Sequence, residues 1–76
     1  MGLEKRNIPL YVQLEQVVKS HIMTGELLPG EQIPTEKELA DTYGVSIVTV
    51  RQAILKLVDQ GLLIKMPLGT LFVVET

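Results

Sequence analysis

The sequence predicts a mainly α domain with a small β-hairpin, a winged helix-turn-helix of three helices and a two- or three-stranded wing. Three observations predict it. Residues 35 to 61, TEKELADTYGVSIVTVRQAILKLVDQG, hold two short amphipathic patterns separated by a Gly-Val-Ser turn. Residues 9 to 23 repeat apolar side chains at helical spacing, and two strand-like runs follow Gly61.

The first helix is expected from near Pro9, whose fixed φ suits an opening turn, to about Met23. Leu10, Leu14, Val17 and His21 form one row, with Tyr11, Val18 and Ile22 beside it, broad enough to face a core; Gln13, Glu15, Gln16 and Lys19 take the wet side. Gly25 can supply a left-handed ending, and LLPGEQIP reads as a turn into a very short extended segment at Gln32 and Ile33. Thr35 and Glu38 then stand in capping-box spacing at the start of the second helix. From that helix Leu39, Ala40 and Tyr43 can face inward, and Gly44 makes the tight turn. Ser46 is the natural cap of the third helix, which is free of glycine and proline until Gly61 and turns Val50, Ile54, Leu57 and Val58 inward. Leu62 to Lys65 and Leu71 to Val74 are strand-like, joined by Met66-Pro67-Leu68-Gly69-Thr70. A single core of Leu14, Val18, Ile22, Leu39, Val50, Ile54 and Leu57 is expected, behind an N-terminal arm at residues 1–8.

Composition narrows the function. A chain of 76 residues can hold one small core but not a core and a deep catalytic cleft. It has no cysteine and one histidine, so a disulfide framework, a thiolate metal site and a multi-histidine site are excluded. No nucleophile with a base and no phosphate-cradling glycine loop is present, and Glu36, Glu38 and Asp41 lie where helix dipoles favour carboxylates. The chain reads as a non-enzymatic binding module without a cofactor. No apolar run approaches the roughly 18 residues of a membrane span, and MGLEKRN lacks the apolar stretch of a signal peptide, so a cytoplasmic location is expected.

A helix-turn-helix presents its second helix to a DNA major groove if the surface charge is suitable. Seven Lys and Arg against nine Asp and Glu give a net charge of -2, which argues mildly against nucleic acid. Distribution is more informative. Lys37, Arg51, Lys56 and Lys65 fall in or beside the expected reading surface, matched by Glu36, Glu38, Asp41 and Asp59, so one copy should bind weakly.

The segments PLYVQ at 9–13, GELLPGEQIPTEKELA at 25–40, GVSIVTVRQA at 44–53, and LVDQGLL followed by GTLFV resemble, in the same order, the N-terminal DNA-binding domain of the GntR family of bacterial transcription regulators. The resemblance covers Ile8 to Val74. It implies a winged helix-turn-helix that binds a double-stranded DNA operator as a homodimer in the full-length protein. It further implies a repressor switched by a small molecule, held in a C-terminal effector domain that this chain does not contain. Carried over by position, P-[ST]-E-[RK]-x-L-A puts Lys37 against DNA, with Thr35 as cap and phosphate contact. In G-V-S-R-x-T-[VI]-R-x-A, Ser46, Thr49 and Arg51 match, but Ile47 stands where the first arginine is expected. The wing of the family tends toward a basic R-x-G-x-G-T-F-V, and here offers Lys65, Gly69 and Thr70 around an uncharged Met66-Pro67-Leu68.

Each candidate has a plainer reading. Arg51 can be bidentate to guanine or form a salt bridge on a helix flank, and its family position favours DNA. Gln52 can read adenine and Thr49 a phosphate or thymine methyl, although both are ordinary surface residues. Ser46 is first a cap. Ile47 either extends the core stripe or protrudes. Leu68 folds back on Met66 or Leu71, meets a protein, or wedges into a minor groove, the last being the least expected beside so few cations. His21 reads as a partly buried helix residue. A second function, a winged-helix protein-interaction module with reduced or lost DNA binding, follows from the acidic charge, Ile47 and the apolar wing.

Overall fold

The computed structural model describes residues 8–75; the arm proposed for residues 1–8 lies, apart from Ile8, outside them. Three helices and a three-stranded sheet follow in the order α1 (Leu10–Thr24), β1 (Gln32–Ile33), α2 (Glu36–Tyr43), α3 (Ile47–Asp59), β2 (Leu63–Lys65) and β3 (Leu71–Val73). Each helix ends as its sequence dictates. Pro9 precedes α1, and its carbonyl accepts from Val12 and Gln13; Gly25 ends the helix at φ 85°. The Thr35 hydroxyl accepts from the Glu38 amide while the Glu38 carboxylate accepts from the Thr35 amide, a complete capping box. Gly44 at φ 66° lets the chain leave α2, and the Val45 amide donates back to the Ala40 carbonyl.

The sheet is antiparallel in the order β1-β3-β2, with Ile33 opposite Leu71 and Leu63 opposite Val73. The period-two alternation of β3 therefore sends Leu71 and Val73 inward. They meet Leu14 and Val18 of α1, Leu39 and Ala40 of α2, and Val50, Ala53, Ile54 and Leu57 of α3 in one buried cluster. Six of the seven residues expected in the core are there; Ile22 is only partly buried and packs against its edge. Burying a Leu or Ile side chain of this kind contributes about 1.5–3 kcal/mol, which is what holds α3 at a fixed angle to α2 and leaves its other side in solvent.

His21 is partly exposed, as its spacing suggests, and pairs with Glu26 at 3.6 Å. The wing departs from expectation at its tip. Leu68 neither folds back on Met66 nor covers Leu71: it is fully exposed. The cause is the backbone, because residues 67–69 form a tight turn in which Leu68 takes φ 72° and Gly69 φ 81°, and this left-handed conformation turns the side chain outward.

Candidate nucleic-acid interface

Five of the sequence candidates come together. Thr35, Lys37, Ile47, Arg51 and Gly69 line one shallow depression, about 190 Å³ in volume, which Glu36 and Leu68 complete. Three elements meet there: the start of α2, the first turns of α3 and the wing tip. The Ser46 hydroxyl caps α3 by accepting from the Thr49 amide at 3.1 Å and lies 3.0 Å from the Thr49 hydroxyl. Thr49 is half-buried and engaged with the cap, whereas Ser46 is exposed. Thr70 supports the wing through its backbone, its carbonyl accepting from the Met66 amide at 2.8 Å.

Ile47 is 39% exposed and borders the depression, so it protrudes and does not extend the core. Its spacing, three residues before Val50 and seven before Ile54, sets it at the edge of the inward stripe, but as the first residue of α3 it stands at the end of the helix and is left out of the buried cluster. Gln52 is exposed but on the opposite flank, against a depression shared with Tyr11, Leu55, Lys56 and Asp59. It does not join the other candidates, and neither does Lys56.

Glu36 organises the charges. Its carboxylate is the acceptor for Arg51 Nε at 3.4 Å and for Lys65 Nζ at 3.2 Å, and at 14% exposure it is the most sheltered of the three side chains. One carboxylate thus ties α3 to the wing and leaves two cations with one net positive charge. Arg51 is still 60% exposed, so its remaining guanidinium donors face solvent. Ion pairs this exposed contribute about 0–1 kcal/mol and yield to a phosphate or a guanine edge. The salt-bridge reading of Arg51 therefore describes the free chain and is compatible with the DNA role. Lys37 is exposed and makes no ion pair among the described residues. The Glu38 carboxyl is lowered from its ordinary pKa by its hydrogen bonds with the Thr35 backbone and hydroxyl.

In the sequence Glu36 is merely a first-turn carboxylate, and Val48 does not stand out. No local pattern shows that Glu36 reaches Arg51 or Lys65, because that contact exists only once α2, α3 and the wing have packed. Val48, 62% exposed on the outer side of α3, was readable from helical periodicity as a residue outside the core arc.

A helix pair crossed over a shared core, an outward second helix and a cation-bearing wing define a winged helix-turn-helix regulatory domain. The chain belongs to the gntR family of bacterial regulatory proteins, whose sequence profile matches residues 10–73. It is 42% identical over 67 residues to the HTH-type transcriptional repressor NagR of Bacillus subtilis, an alignment covering 87% of this chain and 28% of that protein. The crystal structure of AraR(DBD) in complex with operator ORX1 superposes with a TM-score of 0.85 at 44% identity, covering 93% of this chain and 86% of that one. YtrA of Sulfolobus acidocaldarius, a GntR-family transcription factor, superposes at 0.87 with 32% identity, over 95% of this chain and 76% of that one. The chain accordingly spans under a third of NagR.

Proposed function

We propose that residues 9–76 form the sequence-specific DNA-binding domain of a transcriptional repressor, with residues 1–8 as an arm. The reading face is the first half of α3, flanked by the start of α2 and by the wing. Arg51 takes a guanine edge or a phosphate, Lys37 and Lys65 take phosphates, and the backbone at Gly69 and Thr70 brings the wing to the duplex. The full-length protein is a cytoplasmic homodimer on a double-stranded operator, switched by a small molecule bound in a C-terminal domain. The observation that carries this reading is the likeness to AraR(DBD), solved on its operator, combined with exposed Arg51 and Lys37 on one face here.

A salt titration of this chain on mixed-sequence duplex DNA tests it. With ~3 phosphates neutralised, log affinity should fall with log salt at a slope of about -3, and binding by a single module should be weak. Absence of binding at low salt, or tight binding that salt does not weaken, would reject the reading. Exposed Ile64, Met66 and Leu68 on the wing favour a second reading, a winged-helix protein-interaction module. A chain that ignored duplex DNA and bound a protein through those residues would establish it.

A further inference from the structure

The outward side of α3 changes character along its length. Its first turn presents two aliphatic side chains, Ile47 at 39% and Val48 at 62% exposure. Arg51 lies one turn further on, and Lys37 lines the same depression as Ile47. The last two turns present Gln52, Leu55, Lys56 and Asp59. Lys56 and Asp59 are both without an ion pair among the described residues, and their opposite charges cancel toward a phosphate backbone. At the first turn, by contrast, the one nearby carboxylate of the depression is Glu36, already held between Arg51 and Lys65. Charge therefore selects the first turn as the part of α3 that enters a groove.

Neither aliphatic residue contributes a hydrogen bond or a charge to that surface. The start of α3 is already capped by Ser46, and the packing of the domain rests on Val50, Ala53, Ile54 and Leu57. In a major groove an exposed aliphatic group has one direct partner among base edges, the C5 methyl of thymine. We propose that Ile47 and Val48 read thymine methyl groups, so that the preferred half-site presents thymine to the first turn of α3 beside the base or phosphate taken by Arg51. This inference rests on the DNA-binding reading and specifies the class of sequence the domain prefers: A·T pairs where α3 begins.

The test removes the methyl from the DNA and leaves the protein intact. The wild-type chain selects duplexes from a randomised pool, and the selected duplex is then remade with uracil for thymine, one position at a time. At the thymine facing Ile47 or Val48 the uracil duplex should bind about fourfold more weakly, the fold-change corresponding to ~0.8 kcal/mol for one buried methyl-sized group. Ile47→Ser should bind the thymine duplex as the wild type binds the uracil one at the position Ile47 reads, and should no longer distinguish the two bases there. Ile47→Arg, selecting from the same pool, should shift that position toward guanine. Selected duplexes without thymine, or uracil duplexes bound as tightly as their thymine parents, would overturn the inference while leaving DNA binding intact. If the wild type selects no duplex at all, the functional reading falls, and this inference with it.

Discussion

The helix-turn-helix and the wing face each other across the Glu36 carboxylate, yet they are built by opposite rules. In the helix-turn-helix each demanding backbone position is filled by a residue suited to it: Thr35 and Ser46 as caps, and Gly44 at φ 66° in the turn. In the wing a leucine takes φ 72° and stands wholly in solvent. A left-handed leucine costs roughly 1–2 kcal/mol relative to ordinary backbone, and here no burial of its side chain offsets it. One region is thus specified by local chemistry, and the other holds its shape because the strands beneath it, paired at Lys65 and Leu71, leave the tip little choice.

The comparison breaks most visibly if the helical half is not the rigid one. Ile54 is nearly inaccessible at the centre of α3, so Ile54→Ala should destabilise the domain by about 2–5 kcal/mol. Thermal unfolding would register a drop of at least ~8 °C at that cost for a domain of this size. A near-unchanged midpoint would mean that α3 is not held by the core described here, and the assignment of its outer face would go with it.

Next in size is the contrast between the two cations that share Glu36. Arg51→Ala should weaken binding to a selected duplex by about 1–3 kcal/mol with the fold intact, because a planar guanidinium on the reading helix can pair with a base edge. Lys65→Ala, on the wing, should weaken all duplexes alike and flatten the salt slope by about 1, as loss of one phosphate contact does. Competitive binding against mixed DNA separates the two. Equal losses on selected and mixed duplex in both variants would make Arg51 a second phosphate clamp and not a reader.

How far the sequence reveals the molecule follows the same division. Helix ends, the Gly44 turn, the capping box and the short extended segment at Gln32 and Ile33 are local, and they are legible because a few neighbouring side chains satisfy the backbone. The core was legible from periodicity, with Ile22 displaced to the rim at the C-terminal end of α1, where less of the domain packs over it. The candidate interface was legible in part. Thr35, Lys37, Ile47, Arg51 and Gly69 converge, while Gln52 is carried to the other flank because one further residue along a helix is a rotation of about 100°. The Glu36 bridge was not legible because it follows from packing of the wing against the helices, and the outward Leu68 was not because a leucine does not announce a left-handed turn.

Smaller effects are expected from the caps. Ser46→Ala and Thr35→Ala should each cost about 1 kcal/mol in stability, measurable by denaturant midpoint. The Thr35 cap carries a pH dependence of known sign. The Glu38 carboxyl is lowered in the folded chain, so its contribution is complete above the ordinary carboxylate range and is lost as pH falls through the lowered value. Glu38→Gln, which removes the titrating group, should therefore lose stability less steeply in acid than the wild type. Parallel acid profiles for the two proteins would show that the capping box does not operate in solution.

Leu68 offers the smallest and sharpest comparison, because two substitutions separate its backbone from its side chain. Leu68→Gly relieves the left-handed strain of roughly 1–2 kcal/mol but gives the unfolded chain about 0.4–1 kcal/mol of extra freedom, so a net gain between zero and about 1.6 kcal/mol is expected. Leu68→Ser keeps the strain and removes only the apolar group. It should leave DNA affinity nearly unchanged, since a minor-groove wedge normally works beside several cations and the wing offers one, Lys65, among the described residues. If Leu68→Ser instead lost both affinity and the ability to bend a duplex, the exposed leucine would be helping to hold open a base step that costs roughly a few kcal/mol to unstack. The strain at φ 72° would then be the means by which the wing aims that side chain, and DNA shape, not charge, would be what this half of the molecule recognises.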